Sequence, residues 1–170
     1  LELRKELAMA LKLIGYWWFP VFDEEWPHPK RLVSKWDPSL RRRIADYLRS
    51  GQKRVGYCGW SYCRFGCGRN GTIEQTDGVY AWPEGLAHYV EVHSVRLPEA
   101  FVEHARAQDF TIPAALADMD YESDEEPYDM TFWREWCRRE APPRWVDRWG
   151  EMLRKSLGGR GRPKWWNEPG

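Results

Sequence analysis

The order Cys, Cys, hairpin, helix, His, His between Tyr57 and Pro98 constrains this chain more than any other feature. It is the order of a Cys2His2 zinc site. Cys63 and Cys67, separated by three residues, lie in a Gly-rich turn (Gly59, Gly66, Gly68, Gly71) that lets two thiolates converge on one ion. After them GTIEQT and VYAW flank Asp77-Gly78, a pair that predicts a hairpin with a type I′ turn, which needs positive φ at both central residues. Pro83 stops the second strand and suits a helix start, with Glu84 at the positive end of the helix dipole. The helix EGLAHYVEVHS then carries His88 and His93 and stops before Pro98. The spacing C-x3-C-x20-H-x4-H has a longer middle than the usual pattern, in which roughly twelve residues separate the pairs.

Helix geometry leaves the ligand set open. Leu86, Val90 and His93 fall on one side of the helix, with Tyr89 beside them. His88 and His93 are separated by about 140° around an ideal helix, so His93 points inward and His88 partly away. Joint ligation therefore requires a distorted last turn, or Cys58 completes the set in place of His88. Without metal, the cysteines would be small buried hydrophobes and the histidines hydrogen-bonded core residues. With metal, mixed thiolate and imidazole donors favour Zn2+. Trp60, Trp82 and Tyr89 are expected to pack around the unit.

The run TDGVYAWPEGLAHYVEVHSVRLP, preceded by CRFGCGRNG and by WDPSLRRRIADYLRSG, resembles a family of uncharacterised bacterial proteins. In that family a Cys-Arg-x-Cys-Gly-like turn precedes Asn-Gly, and DG-x-Y-x-WPEGL-x-HY is followed by a His and Val-x-Leu-Pro. The resemblance covers Trp36 to His104. It implies that the segment is one unit and implies no activity. This chain departs from it by the extra Gly66 between the cysteines and by Cys58.

At 170 residues the chain is long enough for a core that needs no staples. Residues 1–157 are expected to form one α+β domain: a small antiparallel hairpin within a zinc-finger-like ββα unit (core unit 57–98), packed by several amphipathic helices. Residues 158–170, basic and aromatic, read as a flexible tail. Twelve tryptophans point to aromatic anchors in the core and, in part, on the surface. Four unevenly spaced cysteines without a signal peptide point to a reducing cytoplasm. No apolar run reaches the roughly 18 residues of a membrane helix. The first residue is Leu1, not Met, which reads as a trimmed chain or a fragment.

A net charge of zero conceals polarity. Residues 30–70 hold eleven basic and two acidic side chains, residues 71–129 two and fourteen. Such blocks either fold against each other or face charged partners. Leu3, Leu7, Leu11 and Ile14 recur at helical spacing, and Gly15 stops the pattern, which predicts a helix over 2–14. Asp37-Pro38 opens a second helix that ends near Gly51, with Leu40, Ile44 and Leu48 inward and Arg41, Arg42, Arg43 and Arg49 outward. Residues 53–58 read as a strand. Pro98-Glu99 starts a short helix carrying a partly exposed His104, and His28 sits in a rigid Pro-flanked loop. Residues 118–129 hold seven carboxylates, an acidic loop whose Ser123 and Asp129 do not fit a calcium-binding pattern. MTFWREWCRRE and RWVDRWGEMLRKSL read as two further helices.

Three functions follow as expectations. The first is a non-catalytic, zinc-supported module that interacts with another protein, with Cys63, Cys67, His88 and His93 as structural ligands. The second is nucleic-acid binding through the Arg41–Arg43 helix and the basic tail. The third is a metal-dependent hydrolase with Glu84 or Glu91 near an open coordination position. The chain carries no nucleophile elbow, phosphate-binding loop, helical His-Glu-x-x-His or dinucleotide fingerprint.

Overall fold

The computed structural model describes residues 10–17, 26–114 and 128–141. These form an α+β arrangement: a mixed sheet of five strands in the order β2-β3-β4-β1-β5, with four α-helices. The strands are β1 (Leu11–Leu13), β2 (Gln52–Gly56), β3 (Ile73–Thr76), β4 (Tyr80–Pro83) and β5 (Tyr128–Asp129). The helices are α1 (Pro38–Arg49), α2 (Leu86–His93), α3 (Glu99–Ala107) and α4 (Thr131–Glu140).

The first departure from the sequence reading is β1. Leu11 and Ile14 fit a helical stripe, but Leu11 and Leu13 also fit the two-residue period of a strand, and pairing decides between the two. Lys12 and Ile14 donate N–H groups to the carbonyls of Val79 and Ala81, each at 3.0 Å. β1 thus runs parallel to β4 on one side and to β5 on the other. Leu11 and Leu13 pack with Ala81 on one face, while Ile14 joins the main core. The rest of the expected first helix, residues 1–9, lies outside the described residues. So do residues 118–127 of the acidic stretch, the expected helix after Pro142 and the tail at 158–170.

The hairpin β3–β4 is present, as the centre of the larger sheet rather than as a free-standing ββα finger. Its turn differs from the expected one. Only Gly78 has positive φ (86°), and Asp77 N–H donates to Tyr80 O at 3.2 Å. The two-residue loop is therefore Gly78-Val79, with the φ signs of a type II′ turn. Asp77 acts through its side chain instead: Oδ1 accepts the N–H groups of Val79 and Tyr80 at 2.9 and 2.7 Å.

α1 follows its punctuation. Asp37 Oδ1 caps Leu40 N–H at 2.8 Å, Pro38 opens the helix, and Ile44, Ala45, Tyr47 and Leu48 are buried. Opposite them lie Trp82, fully buried with Nε1 donating to Leu48 O at 3.1 Å, and Phe101 of α3. Trp17, Trp133 and Trp136 extend this aromatic core through ring contacts of 5.2 and 5.0 Å. Three of the four outward arginines of α1 are engaged by neighbours, and Arg42 is exposed. Arg41 donates to Ser94 Oγ at 2.5 Å, Arg43 pairs with Asp109 and lies 3.9 Å over the Phe110 ring, and Arg49 pairs with Asp46 and Glu91.

Candidate metal centre

β2 and β3 do more than pair. Beyond Gly56 the two chains continue as a ribbon, through Tyr57 N–H to Thr72 O (2.8 Å), Ser61 N–H to Gly71 O (2.9 Å) and a bridge between Tyr62 and Arg69. At its tip the chain reverses over Cys63–Gly68. Cys63 N–H donates to Gly68 O at 2.9 Å and Gly66 N–H to Cys63 O at 3.0 Å. This reversal puts Gly66 and Gly68 at φ 89° and 103°, conformations open to glycine at little cost. The extra Gly66 is thus the residue that closes the turn. Phe65 N–H donates to Cys63 Sγ at 3.4 Å.

The knuckle is fixed to α2 by three contacts. Arg64 N–H donates to the Tyr89 hydroxyl at 2.8 Å, and Asn70 Nδ2 donates to Gly85 O at 3.2 Å. The Phe65 ring lies flat on the His93 imidazole, with centroids 3.9 Å apart and planes 4° from parallel. Burial pushes the Tyr89 hydroxyl up to about 12, so it stays neutral as it accepts from Arg64. α2 ends cleanly after His93. Ser94 adopts the left-handed conformation (φ 55°), and its N–H and that of Val95 close on Val90 O and Tyr89 O.

This architecture brings Cys63, Cys67, His88 and His93 together, and the four could hold a metal ion: one donor atom from each lies within 4.8 Å of all the others. His93 Nε2 is the hub. It stands 3.4 Å from Cys63 Sγ, 3.2 Å from Cys67 Sγ and 3.1 Å from His88 Nε2. A tetrahedral ion bound at its usual distances to sulfur and nitrogen sets S···N at roughly 3.6 Å and N···N at roughly 3.3 Å. The observed edges are slightly shorter, and the widest pair in the set would contract on binding. The helix needs no distorted turn, because the two rings meet at their Nε2 tips at 82° to each other.

Charge and burial fit the donor chemistry. Cys63 is buried, Cys67 exposed, and the histidines half-buried. Burial lowers both imidazoles from their ordinary value, aided at His93 by the charge of His88, which keeps the ring nitrogens neutral and able to coordinate. Local desolvation, then the adjacent Cys63 sulfur, raises the Cys67 thiol. A cation bound beside Cys67 would oppose that rise.

Cys58 is exposed and outside the cluster, and Cys137 is buried in α4, so neither joins these donors. Trp82 and Tyr89 pack inside as expected, but Trp60 does not: it is half exposed, with the Arg69 guanidinium 5.0 Å from its ring. Glu84 Oε2 accepts Thr72 N–H at 2.9 Å, and Glu91 pairs with Arg49. Two partners of the site were not anticipated from sequence. One is Phe65. The other is His28, whose ring stands edge-on to Phe65 at 6.2 Å and whose Nδ1 accepts Lys30 N–H. The Phe-Gly step between two cysteines was the only local signal of the first.

A second histidine, His104, lies in a different cluster. Its Nε2 is 3.1 Å from Asp77 Oδ2, which also accepts the Tyr47 hydroxyl at 2.8 Å. No described helix is long and apolar enough to cross a membrane. Comparison of the chain with family models, curated proteins and solved structures finds no match.

Proposed function

We propose that the chain is a zinc-supported recognition module that acts by binding and performs no chemistry of its own. Cys63, Cys67, His88 and His93 are the ligands of one structural Zn2+ in this reading. The observation that carries it is the convergence of two sulfurs and two imidazole nitrogens within 4.8 Å. Two thiolates with two neutral imidazoles form the donor set that suits a tetrahedral zinc ion. Four protein donors leave no position for an activated water, and the two carboxylates nearest in sequence are engaged elsewhere, Glu84 by Thr72 N–H and Glu91 by Arg49. Both features favour a structural centre over a hydrolytic one. The ion would tie the tip of the β2–β3 ribbon to the end of α2 and so hold the ribbon in place as a recognition surface.

Cobalt(II) substitution tests the ligand set directly. The metal-free protein titrated with Co2+ should develop the intense visible bands of a tetrahedral ion together with thiolate charge-transfer absorption, and Cys63→Ser should reduce the latter. A pale octahedral spectrum, or no uptake, would contradict the reading.

A further inference from the structure

The ribbon that carries the knuckle presents more exposed aromatic surface than any other described element. Tyr57, Trp60 and Tyr62 are 54, 50 and 51 % exposed. Residues 52–72 hold four basic side chains and no acidic one: Lys53 and Arg69 are exposed, Arg64 is half-buried and donates to Tyr62 O at 2.6 Å, and Arg54 is buried against Glu74. Beside the ribbon lies a cavity of about 420 Å³, lined by Tyr57, Trp60 and Arg64 on the ribbon side and by Trp17 and Tyr89 on the core side. Trp17 is more than nine-tenths buried, and its Nε1–H has no hydrogen-bond partner among the described residues. A buried donor without a partner is costly in a finished core, and at the wall of a cavity it suits a ligand acceptor. The Tyr57 hydroxyl reaches the buried Glu74 carboxylate, which fixes that ring.

We infer that this face binds single-stranded nucleic acid. Flat rings held at a cavity mouth stack on unpaired bases, and the exposed Arg69 guanidinium beside Trp60 meets a phosphate. The one carboxylate on the cavity wall, Glu84, is held by Thr72 N–H through Oε2. The size fits a base better than a folded partner, because 420 Å³ is a small-ligand volume. This places the contact on the knuckle ribbon, which carries the exposed rings, and not on α1, whose one aromatic side chain, Tyr47, is buried. It also makes the partner a nucleic acid rather than the protein expected from the sequence. The inference rests on the metal-supported reading, since the ion would hold the ribbon against α2.

The test is fluorescence anisotropy of labelled oligouridylate and oligothymidylate with the full metal-loaded chain. Saturable binding that weakens steeply with salt is expected. Trp60→Ala should weaken it by roughly tenfold with an unchanged thermal melt, and Trp60→Phe should retain most of it. Tyr57→Ala should weaken it similarly while also lowering the melt, because Glu74 loses a donor. Three results would overturn the inference: no binding at low salt, binding that Trp60→Ala and Tyr57→Ala leave untouched, or equal binding of polyglutamate, which would assign the face to acidic peptides. Metal content read on the same samples separates two failures. A metal-loaded chain that binds no strand overturns the nucleic-acid surface alone. A chain that holds no metal overturns the module reading and this inference with it.

Discussion

The chain carries two histidine clusters, one at the β3–β4 turn around Asp77 and one at the tip of the β2–β3 ribbon around His93. Around Asp77 every polar group has a counterpart. The carboxylate accepts Tyr47, His104, Val79 N–H and Tyr80 N–H at 2.7–3.1 Å, and these donors hold it below its usual value despite the opposing effect of burial. Among the described residues, no carboxylate joins the donors around His93. Two sulfurs and two imidazole nitrogens face one another, each offering lone pairs to the same small volume. The first cluster is complete as protein. The second gathers donor atoms suited to a cation, and a metal ion bound there would complete it as Asp77 completes the first. Histidine in a core thus has two meanings here, and the partners distinguish them.

The largest effect that sharpens this contrast is at Asp77. Asp77→Ala should cost about 3–5 kcal/mol, because Tyr47, His104 and two backbone amides lose a buried acceptor. Denaturant unfolding measures the loss, and metal content should not change. Loss of metal in that variant would mean the clusters are not independent.

Next come the two histidines of the metal cluster. His93→Ala removes the hub and the Phe65 stack and should weaken metal affinity by more than about a hundredfold, beyond the effect of a supporting second-layer residue. It should also lower the melting temperature more than His88→Ala. Equal and negligible effects would count against the geometry.

Acid should then separate the clusters by pH window. In the metal-free protein, burial holds His88 below its ordinary 6.5, with Glu91 opposing and Arg49 assisting. His93 is lowered likewise, by burial and by His88. Between those lowered values and 6.5 the unfolded chain binds more protons than the folded one, so stability falls as pH falls through that window. Asp77 is lowered from 3.8, so its contribution is lost only as pH falls below that value. Melts of the metal-free chain across pH should show both steps, and the His88→Ala/His93→Ala double variant should keep only the acid one. The smallest effect is at Cys58. Cys58→Ser should leave metal content unchanged and stability within about 0.5 kcal/mol.

What the sequence made legible follows from how local each signal is. The α1 cap needs only Asp37, Pro38 and the next turn, so its start could be read directly. The cysteine–histidine order was visible for the same reason: each pair occupies one turn or one short helix. The ligand geometry was harder. Helix phase alone left His88 and Cys58 as alternatives for the fourth ligand, whereas in the fold the length of two imidazole arms closes the angle at Nε2. β1 was misread because three apolar residues satisfy two periods at once, and only the carbonyls of Val79 and Ala81, far along the chain, choose the strand. The Asp77 cluster was missed altogether. An Asp-Gly pair reads as a turn, and nothing local says that the carboxylate will be buried against α1 and α3.

The most direct test of the central claim is the metal content of protein purified without added metal, by elemental mass spectrometry, with thermal melts before and after chelation. Zinc near one ion per chain is the predicted result, with a marked fall in melting temperature on chelation. An ion present at a thousand times its dissociation constant contributes about 4 kcal/mol to the folded state. Protein with no bound metal, whose uptake of added zinc changes nothing and whose melts coincide, would contradict the account and return Cys63 and Cys67 to the core as ordinary thiols.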